Sequence, residues 1–292
     1  MFEEYTRCRL CPWMCEVNRR EGKKGRCGAG ADVRIAGAFL HFGEEACLVG
    51  ETGSGAVFFS HCVMRCMYCQ TYEMSWFGRG EDLTDPDFLG ILKSLVERGC
   101  ENLNFITPTA YIPHIRWAVE ELRKTEKIPP VVYNTGGYES VEALKSLEGI
   151  VDIYLTDIKY LNGELAKKLS HAPDYPDIVK VAVMEMYRQV GDLEMNGRGV
   201  AKRGLIVRHL VLPGYVEESL KVLEWIAENL SVQTYINVMG HYRPFHLAPN
   251  IPELSRTLRR QEYELVISKA RELGLTRMDT THRNLYPLIW EN

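Results

Sequence analysis

The sequence AVFFSHCVMRCMYCQT, residues 56–71, joins a short apolar run to three closely spaced cysteines. The run at 56–60 is rich in valine and phenylalanine, which is typical of a buried strand. Cys62, Cys66 and Cys69 follow it at positions i, i+4 and i+7. The segment therefore predicts a strand whose end delivers a cysteine-bearing loop.

Five further apolar runs predict strands at 102–106, 130–134, 152–157, 204–211 and 234–238. Thr84 can cap a helix with Pro86 in its first turn, and other helices are predicted at about 112–125, 139–147, 162–170, 173–188, 216–229 and 253–273. Strands that alternate with helices favour parallel βα units. We therefore predict an α/β fold, a partial (β/α)6 barrel of the TIM type, with chemistry at the C-terminal ends of its strands.

The chain has 292 residues, 46% of them hydrophobic, and a formal net charge of -4. This balance provides no broad basic surface, so we expect neither nucleic acid nor an anionic membrane as a partner. No stretch approaches the length of a bilayer span, and the start MFEEYTRC is acidic and polar, unlike a signal peptide. A cytoplasmic protein is expected.

Four of the nine cysteines lie near the start, where Cys8, Cys11, Cys15 and Cys27 have the spacing C-x2-C-x3-C-x11-C. Four thiolates form a complete tetrahedral set, which favours a structural zinc site, with an auxiliary [4Fe-4S] cluster as the alternative. We predict a cysteine-rich metal-binding extension over residues 1–50 and a barrel domain over 51–292. The isolated cysteines, at positions 47 and 100, are assigned to packing.

The central triplet of Cys62, Cys66 and Cys69 predicts a different kind of site. Three thiolates that hold a [4Fe-4S] cluster leave one iron without a protein ligand, and a substrate or cofactor can bind there. The alternatives are a zinc site, for which His61 is poorly placed as a fourth ligand, and cysteines on one buried helix face. The cluster is the favoured interpretation.

The CX3CXΦC motif, with Tyr68 as its aromatic residue, resembles the signature of the radical S-adenosylmethionine (SAM) superfamily. The stretch FFSHCVMRCMYCQTYEMS is similar to the pyruvate formate-lyase activating enzymes, and to their PflX-like branch in particular. The resemblance runs with gaps from about residue 50 to 245. It implies an oxidoreductase that reductively cleaves SAM at the cluster to a 5′-deoxyadenosyl radical, which then abstracts a substrate hydrogen.

The same resemblance implies partners and SAM contacts. An electron donor such as flavodoxin or ferredoxin is implied, with a glycyl radical enzyme as a possible protein substrate and a small molecule or peptide as the alternative. Thr107 and Thr109 replace a Gly-Gly-Glu stretch of the activating enzymes, and Asn134 replaces an aspartate. The implied contacts of SAM are Tyr68, Thr107, Thr109, Asn134, Asp157, Lys159, Arg208 and His241.

Two non-catalytic hypotheses compete with this one: an electron carrier with two closed clusters, and an interaction scaffold with two zinc sites. Neither needs a SAM pocket, whereas Asp157, Lys159 and Arg208 lie at or near predicted strand ends. The aromatic residues Tyr72, Trp76 and Phe77 are expected either to cover the cysteine-bearing loop or to pack in the core. The residues therefore favour an enzyme.

Overall fold

A parallel sheet forms the centre of the computed structural model, which describes residues 2–279. Its strands are β1 (Val33–His41), β2 (Ser54–Phe59), β3 (Glu81–Leu83), β4 (Leu103–Ile106), β5 (Val131–Thr135), β6 (Ile153–Asp157), β7 (Glu194–Met195), β8 (Ala201–Leu210) and β9 (Tyr235–Met239). Strands β2, β4, β5, β6, β8 and β9 pair in parallel in that order. These are the six predicted strands. The parallel sheet with its covering helices is therefore an α/β fold that agrees with a partial barrel.

The α-helices of the described residues connect and cover these strands. They are α1 (Ala46–Val49), α2 (Tyr72–Ser75), α3 (Asp85–Glu97), α4 (Ile112–Thr125), α5 (Val141–Lys145), α6 (Gly163–Ser170), α7 (Tyr175–Val190), α8 (Val216–Asn229) and α9 (Arg260–Glu272). As predicted, Thr84 caps α3, where its hydroxyl oxygen accepts a hydrogen bond from the backbone N–H of Asp87. None of these helices is long and apolar enough to cross a membrane.

The predicted helix over 253–273 is wrong in its first part, because α9 begins at Arg260. The side chain of Glu262 accepts a hydrogen bond of 2.9 Å from the backbone N–H of Arg259 and so fixes the start of the helix. Before it, residues 252–254 form a 3₁₀ turn. Leu254 in this turn and Leu258 after it are buried, although neither belongs to an α-helix. Apolar spacing alone therefore extended the helix too far.

Strand β1 was not predicted, and it lies on the N-terminal side of the expected domain boundary. It pairs antiparallel with β2, so that Phe39 lies opposite Ala56 and His41 opposite Ser54. The predicted boundary at residue 50 therefore separates two strands of one sheet. At the other end of the predicted barrel domain, residues 280–292 lie outside the described part of the chain.

Aromatic side chains fill much of the core between the sheet and the helices that precede and follow β4. Phe59 on β2 is fully buried and packs against Phe88 of α3, with ring centroids 5.9 Å apart. Its ring also lies 6.0 Å from that of Phe105 on β4 and 5.4 Å from that of Tyr111. This packing holds the end of β2 rigidly, immediately before the cysteine-bearing loop.

Candidate active site

The carboxyl ends of the parallel strands and the cysteine-bearing loop meet at one open cavity. Parallel strands end at the same edge of a sheet, so the loops that follow them converge. The predicted site residues that line the cavity are Cys62, Cys66, Cys69, Tyr68, Thr107, Asn134, Asp157, Lys159 and His241. The cavity lining does not include Thr109 or Arg208.

We define the cysteine loop as residues 62–69. Serine hydroxyls from neighbouring segments contact two of its thiols. Ser170 donates a hydrogen bond of 3.0 Å to the Sγ of Cys66, and the Sγ of Cys69 lies 3.1 Å from the hydroxyl oxygen of Ser75. Burial raises the pKa of the Cys62 thiol to about 12, and the thiols of Cys66 and Cys69 add to the rise. Because thiolates bind iron, a metal must displace these protons when it enters. Three soft sulfur donors around one cavity match the donor set of an iron-sulfur cluster.

An ion pair between Asp157 and Lys159 stands at the end of β6. Both side chains are mostly buried, with exposed fractions of 25% and 17%. Burial lowers the pKa of Lys159, but the Asp157 carboxylate and the Cys66 thiol more than offset this, so its pKa lies well above the usual value. The hydroxyl of Tyr175 donates to the carbonyl of Gly136 at 2.9 Å and accepts from the backbone N–H of Lys159 at 3.0 Å. Tyr175, which was not predicted, therefore ties the end of β5 to the end of β6.

Arg208 forms ion pairs with two glutamates inside the barrel. Its guanidinium forms a bidentate ion pair with the fully buried Glu45, at 2.6 and 2.7 Å, and a second ion pair with Glu44. The amide of Asn237 donates to Glu45 at 2.8 Å, and that of Asn104 to Glu44 at 3.3 Å. The segment before α1 therefore cross-links β4, β8 and β9, and the structure does not bring Arg208 to the cavity.

The two threonines after β4 occupy different environments. Thr107 lines the cavity in a left-handed conformation, with φ of 60°, and its backbone N–H donates to the carbonyl of Asn134 at 2.9 Å. Thr109 faces the core, where its hydroxyl donates a hydrogen bond of 2.6 Å to Glu139. It therefore supports the wall of the cavity from behind.

Glu139 is a buried carboxylate that sequence reasoning missed. Besides Thr109, it accepts hydrogen bonds from Thr135 and, at 3.2 Å, from Tyr133. Burial raises the pKa of Glu139 to about 7, although these three hydroxyl donors oppose the rise. Thr109 lies 30 positions earlier in the sequence, so no local pattern could have indicated this network.

The loop after β9 adds Tyr242, Arg243 and Phe245 to the cavity lining. Within residues 2–279, no hydrogen bond or ion pair of the Arg243 guanidinium is found. Its place in the loop that follows the last predicted strand is the signal that could have identified it. A partly buried cation without a counter-ion favours an anionic ligand.

Of the aromatic residues that follow the cysteine loop, Trp76 contacts the loop directly. Trp76 donates a hydrogen bond of 3.0 Å from its indole N–H to the carbonyl of Cys66. His246 packs against Tyr72 and Trp76, with ring centroids 4.8 and 4.7 Å away. Phe77 is 69% exposed and contributes mainly to the surface.

The four N-terminal cysteines lie in a chain segment that folds back on itself, and all four are free thiols. The backbone N–H of Glu16 donates to the carbonyl of Cys8 at 2.9 Å, and that of Arg26 to the Sγ of Cys15 at 3.3 Å. Burial raises the pKa of Cys27, and the thiols of Cys8 and Cys15 add to the rise. Across residues 2–279, no three His, Cys, Asp or Glu side chains are already arranged to hold a metal ion.

Comparison with known proteins assigns this cavity to a family. The family model of the radical SAM superfamily matches residues 56–226, which include the cysteine loop and the ends of β4, β5, β6 and β8. An uncharacterised protein of Methanocaldococcus jannaschii is 31% identical over 285 residues, covering 93% of this chain and 76% of the relative.

Two solved structures resemble the fold at low sequence identity. Streptococcus suis SuiB, bound to the precursor peptide SuiA, has a TM-score of 0.51 at 13% identity and matches 78% of this chain. HydG, a maturase of the [FeFe]-hydrogenase, has a TM-score of 0.50 at 16% identity and matches 74%. The chain spans about half the length of each, 48% in both cases, so these likenesses concern the fold.

Proposed function

The chain belongs to the radical SAM superfamily, and on this premise we propose that it is an enzyme whose cysteine loop and strand ends together bind a [4Fe-4S] cluster and SAM. In this family the reduced cluster supplies the electron that cleaves SAM to methionine and a 5′-deoxyadenosyl radical. The observation that carries the proposal is that three thiols and the polar strand-end residues line the same cavity. An electron carrier or a zinc scaffold would not require this convergence.

Cys62, Cys66 and Cys69 are the proposed cluster ligands. Two hydrogen bonds fix the middle of the loop, since Ser170 donates to the Sγ of Cys66 and Trp76 to its carbonyl. Hydrogen bonds to cluster sulfurs are among the factors that set reduction potentials, so Ser170 is proposed to tune the site.

The charges of the cavity suit SAM, which carries an amino group, a carboxylate and a sulfonium. Asp157 is proposed to face the positive groups, while Lys159 and the guanidinium of Arg243 face the carboxylate. Thr107 and Asn134 offer further polar atoms to the same cavity.

Tyr68 and His241 complete the proposed contacts. Tyr68 is 7% exposed, and its hydroxyl donates to that of Tyr160 at 3.3 Å, so its ring rather than its hydroxyl is available to the adenine. His241 lines the cavity from the loop after β9. Arg208 and Thr109 are proposed to support the cavity wall from the core and not to contact SAM, because Arg208 is paired with buried Glu45 and Thr109 donates to Glu139.

We propose a reaction type and, separately, candidate substrates. Hydrogen abstraction is the reaction type, with a flavodoxin- or ferredoxin-type protein as the electron donor. A glycyl radical enzyme is one candidate target, but Thr107 and Thr109 stand where activating enzymes carry Gly-Gly-Glu. The alternative is a small molecule or a peptide.

The N-terminal cysteines are proposed as ligands of a second metal site, with zinc favoured over an auxiliary cluster. The pairing of β1 with β2 supports a metal-binding segment that ends before β1 and a catalytic unit that begins with it. Metal analysis of anaerobically purified protein identifies the occupant.

The test of the proposed function is anaerobic reconstitution with iron and sulfide, followed by reduction and addition of SAM. We expect 5′-deoxyadenosine and methionine to form in equal amounts. A protein that takes up zinc alone and forms no 5′-deoxyadenosine contradicts the proposal.

A further inference from the structure

The N-terminal segment contacts the cysteine loop through two hydrogen bonds between residues far apart in sequence. The indole N–H of Trp13 donates to the carbonyl of Val63 at 2.8 Å. In the opposite direction, the guanidinium of Arg65 donates to the carbonyl of Cys27 at 2.8 Å. Trp13 lies between two of the proposed N-terminal ligands, and Cys27 is itself a proposed ligand, so each hydrogen bond joins the N-terminal segment to the cysteine loop close to the proposed ligands.

The geometry around these two hydrogen bonds is closely packed. The Arg26 guanidinium lies 4.0 Å over the Trp13 ring, and the Tyr138 ring packs 5.4 Å from it. Gly28 adopts a φ of 86°, and a Cβ at this position would lie 3.0 Å from Arg65 Nη2. A side chain there would therefore press on the guanidinium that reaches Cys27.

The N-terminal segment is also anchored to the barrel away from the cysteine loop. Arg19, which is 2% exposed, donates to the carbonyls of Ala110 at 2.6 Å and Gly30 at 2.8 Å. The hydroxyl of Tyr5 and the Nδ1 of His114 on α4 share a hydrogen bond of 2.7 Å. The hydrogen bonds of Trp13 and Arg65 thus fix the cysteine loop to a segment that is itself fixed to the barrel.

We propose that Trp13 and Arg65 are positioning residues through which the N-terminal metal site holds the cysteine loop in the conformation that retains the catalytic cluster. The inference rests on the proposed function, because it assigns cluster binding to Cys62, Cys66 and Cys69. The loop contains no helix or strand, and Arg65 within it has a positive φ of 49°. Such a loop depends on contacts from elsewhere for its shape. A metal held by the N-terminal cysteines would brace the Trp13 ring and the Cys27 carbonyl, which lie between and on its proposed ligands.

The first test replaces Trp13 by phenylalanine, which keeps an aromatic ring and removes the indole donor. Trp225→Phe on α8 is the matched control. The measurements are N-terminal metal content, amide hydrogen exchange of residues 61–69, and the rate at which a chelator removes iron. The iron of the cysteine loop is defined as the difference between wild type and Cys66→Ala, so iron bound elsewhere does not enter the comparison.

We expect Trp13→Phe to keep the N-terminal metal while loop exchange and iron release rise about fivefold, the effect of one lost hydrogen bond. Trp225→Phe should match wild type. Unchanged loop exchange and iron release in Trp13→Phe overturn the proposal.

A second variant, Cys15→Ser, addresses the metal itself. It should lose the N-terminal metal and raise loop exchange at least as much as Trp13→Phe, and adding Trp13→Phe to it should have little further effect. Loss of the metal with unchanged loop exchange also overturns the inference. Failure of the proposed function is recognised separately, because Cys66→Ala would then hold as much iron as wild type.

Discussion

Glu139 allows a quantitative prediction about stability and pH. Its carboxylate is 1% exposed, has three hydroxyl donors, and has a pKa raised to about 7 by burial. An ordinary glutamate in the unfolded chain titrates near 4.5. The folded protein therefore binds this proton more tightly than the unfolded chain does, so folding stability falls as the pH rises from about 4.5 to about 7. A difference of roughly 2.5 pKa units corresponds to about 3 kcal/mol.

Replacing Glu139 by glutamine removes the ionisation and keeps an oxygen acceptor for Thr109 and Thr135. Relative to wild type, the free energy of unfolding of Glu139→Gln should rise by about 2.5 kcal/mol between pH 5 and pH 8.5. In a chain of this size 1 kcal/mol shifts the thermal midpoint by about 2 °C, so the difference between the two midpoints should change by about 5 °C. Thermal unfolding under argon at a series of pH values measures it.

The matched control is Glu142→Gln, which removes an exposed carboxylate from the first turn of α5. Its midpoint should follow that of wild type across the pH range. A difference between Glu139→Gln and wild type that stays constant from pH 5 to pH 8.5 would refute the assignment of a buried, proton-linked carboxylate.

Three further predictions concern the cavity and the N-terminal site. Arg243→Gln should weaken binding of SAM to the unreduced protein about tenfold, as expected for a lost charge-assisted hydrogen bond, and calorimetric titration checks this; an unchanged Kd removes Arg243 from the site. Asp157→Asn leaves Lys159 without its carboxylate and should lower stability by about 2 kcal/mol as well as weaken SAM binding; if both stay at wild-type values, the ion pair has no role. Cys8→Ala should lose the N-terminal metal, lower the thermal midpoint and reduce SAM cleavage without abolishing it; a midpoint equal to that of wild type argues against a structural metal at this site.

The parallel core of the fold could be predicted because each of its strands is a short apolar run followed by a helix. Strand β1 escaped prediction since Gly37 and several half-exposed residues interrupt its apolar character. Its place is set by backbone pairing with β2, which needs no apolar pattern on both faces. The assignment of residues 33–41 to the extension followed from this omission.

The candidate site could be predicted where polar residues lie at the end of a strand. Asp157 and Lys159 are examples, since their spacing places both on one side of β6 and both line the cavity. Arg208 was also expected at the site, but it lies within β8, and its partner Glu45 lies 163 positions earlier, beyond the reach of any local pattern. The hydrogen bond from Trp13 to Val63 spans 50 positions and was invisible for the same reason.

The central claim is that the thiols of the cysteine loop form the reactive centre, and a comparison of two cysteine variants tests it most directly. Cys66 lines the cavity, whereas Cys100 is a buried cysteine that is not among its lining residues. Both variants, Cys66→Ala and Cys100→Ala, are reconstituted anaerobically, reduced and supplied with SAM, and 5′-deoxyadenosine is quantified. The account predicts none from Cys66→Ala and a wild-type amount from Cys100→Ala. Formation of 5′-deoxyadenosine by Cys66→Ala at the wild-type rate would contradict it.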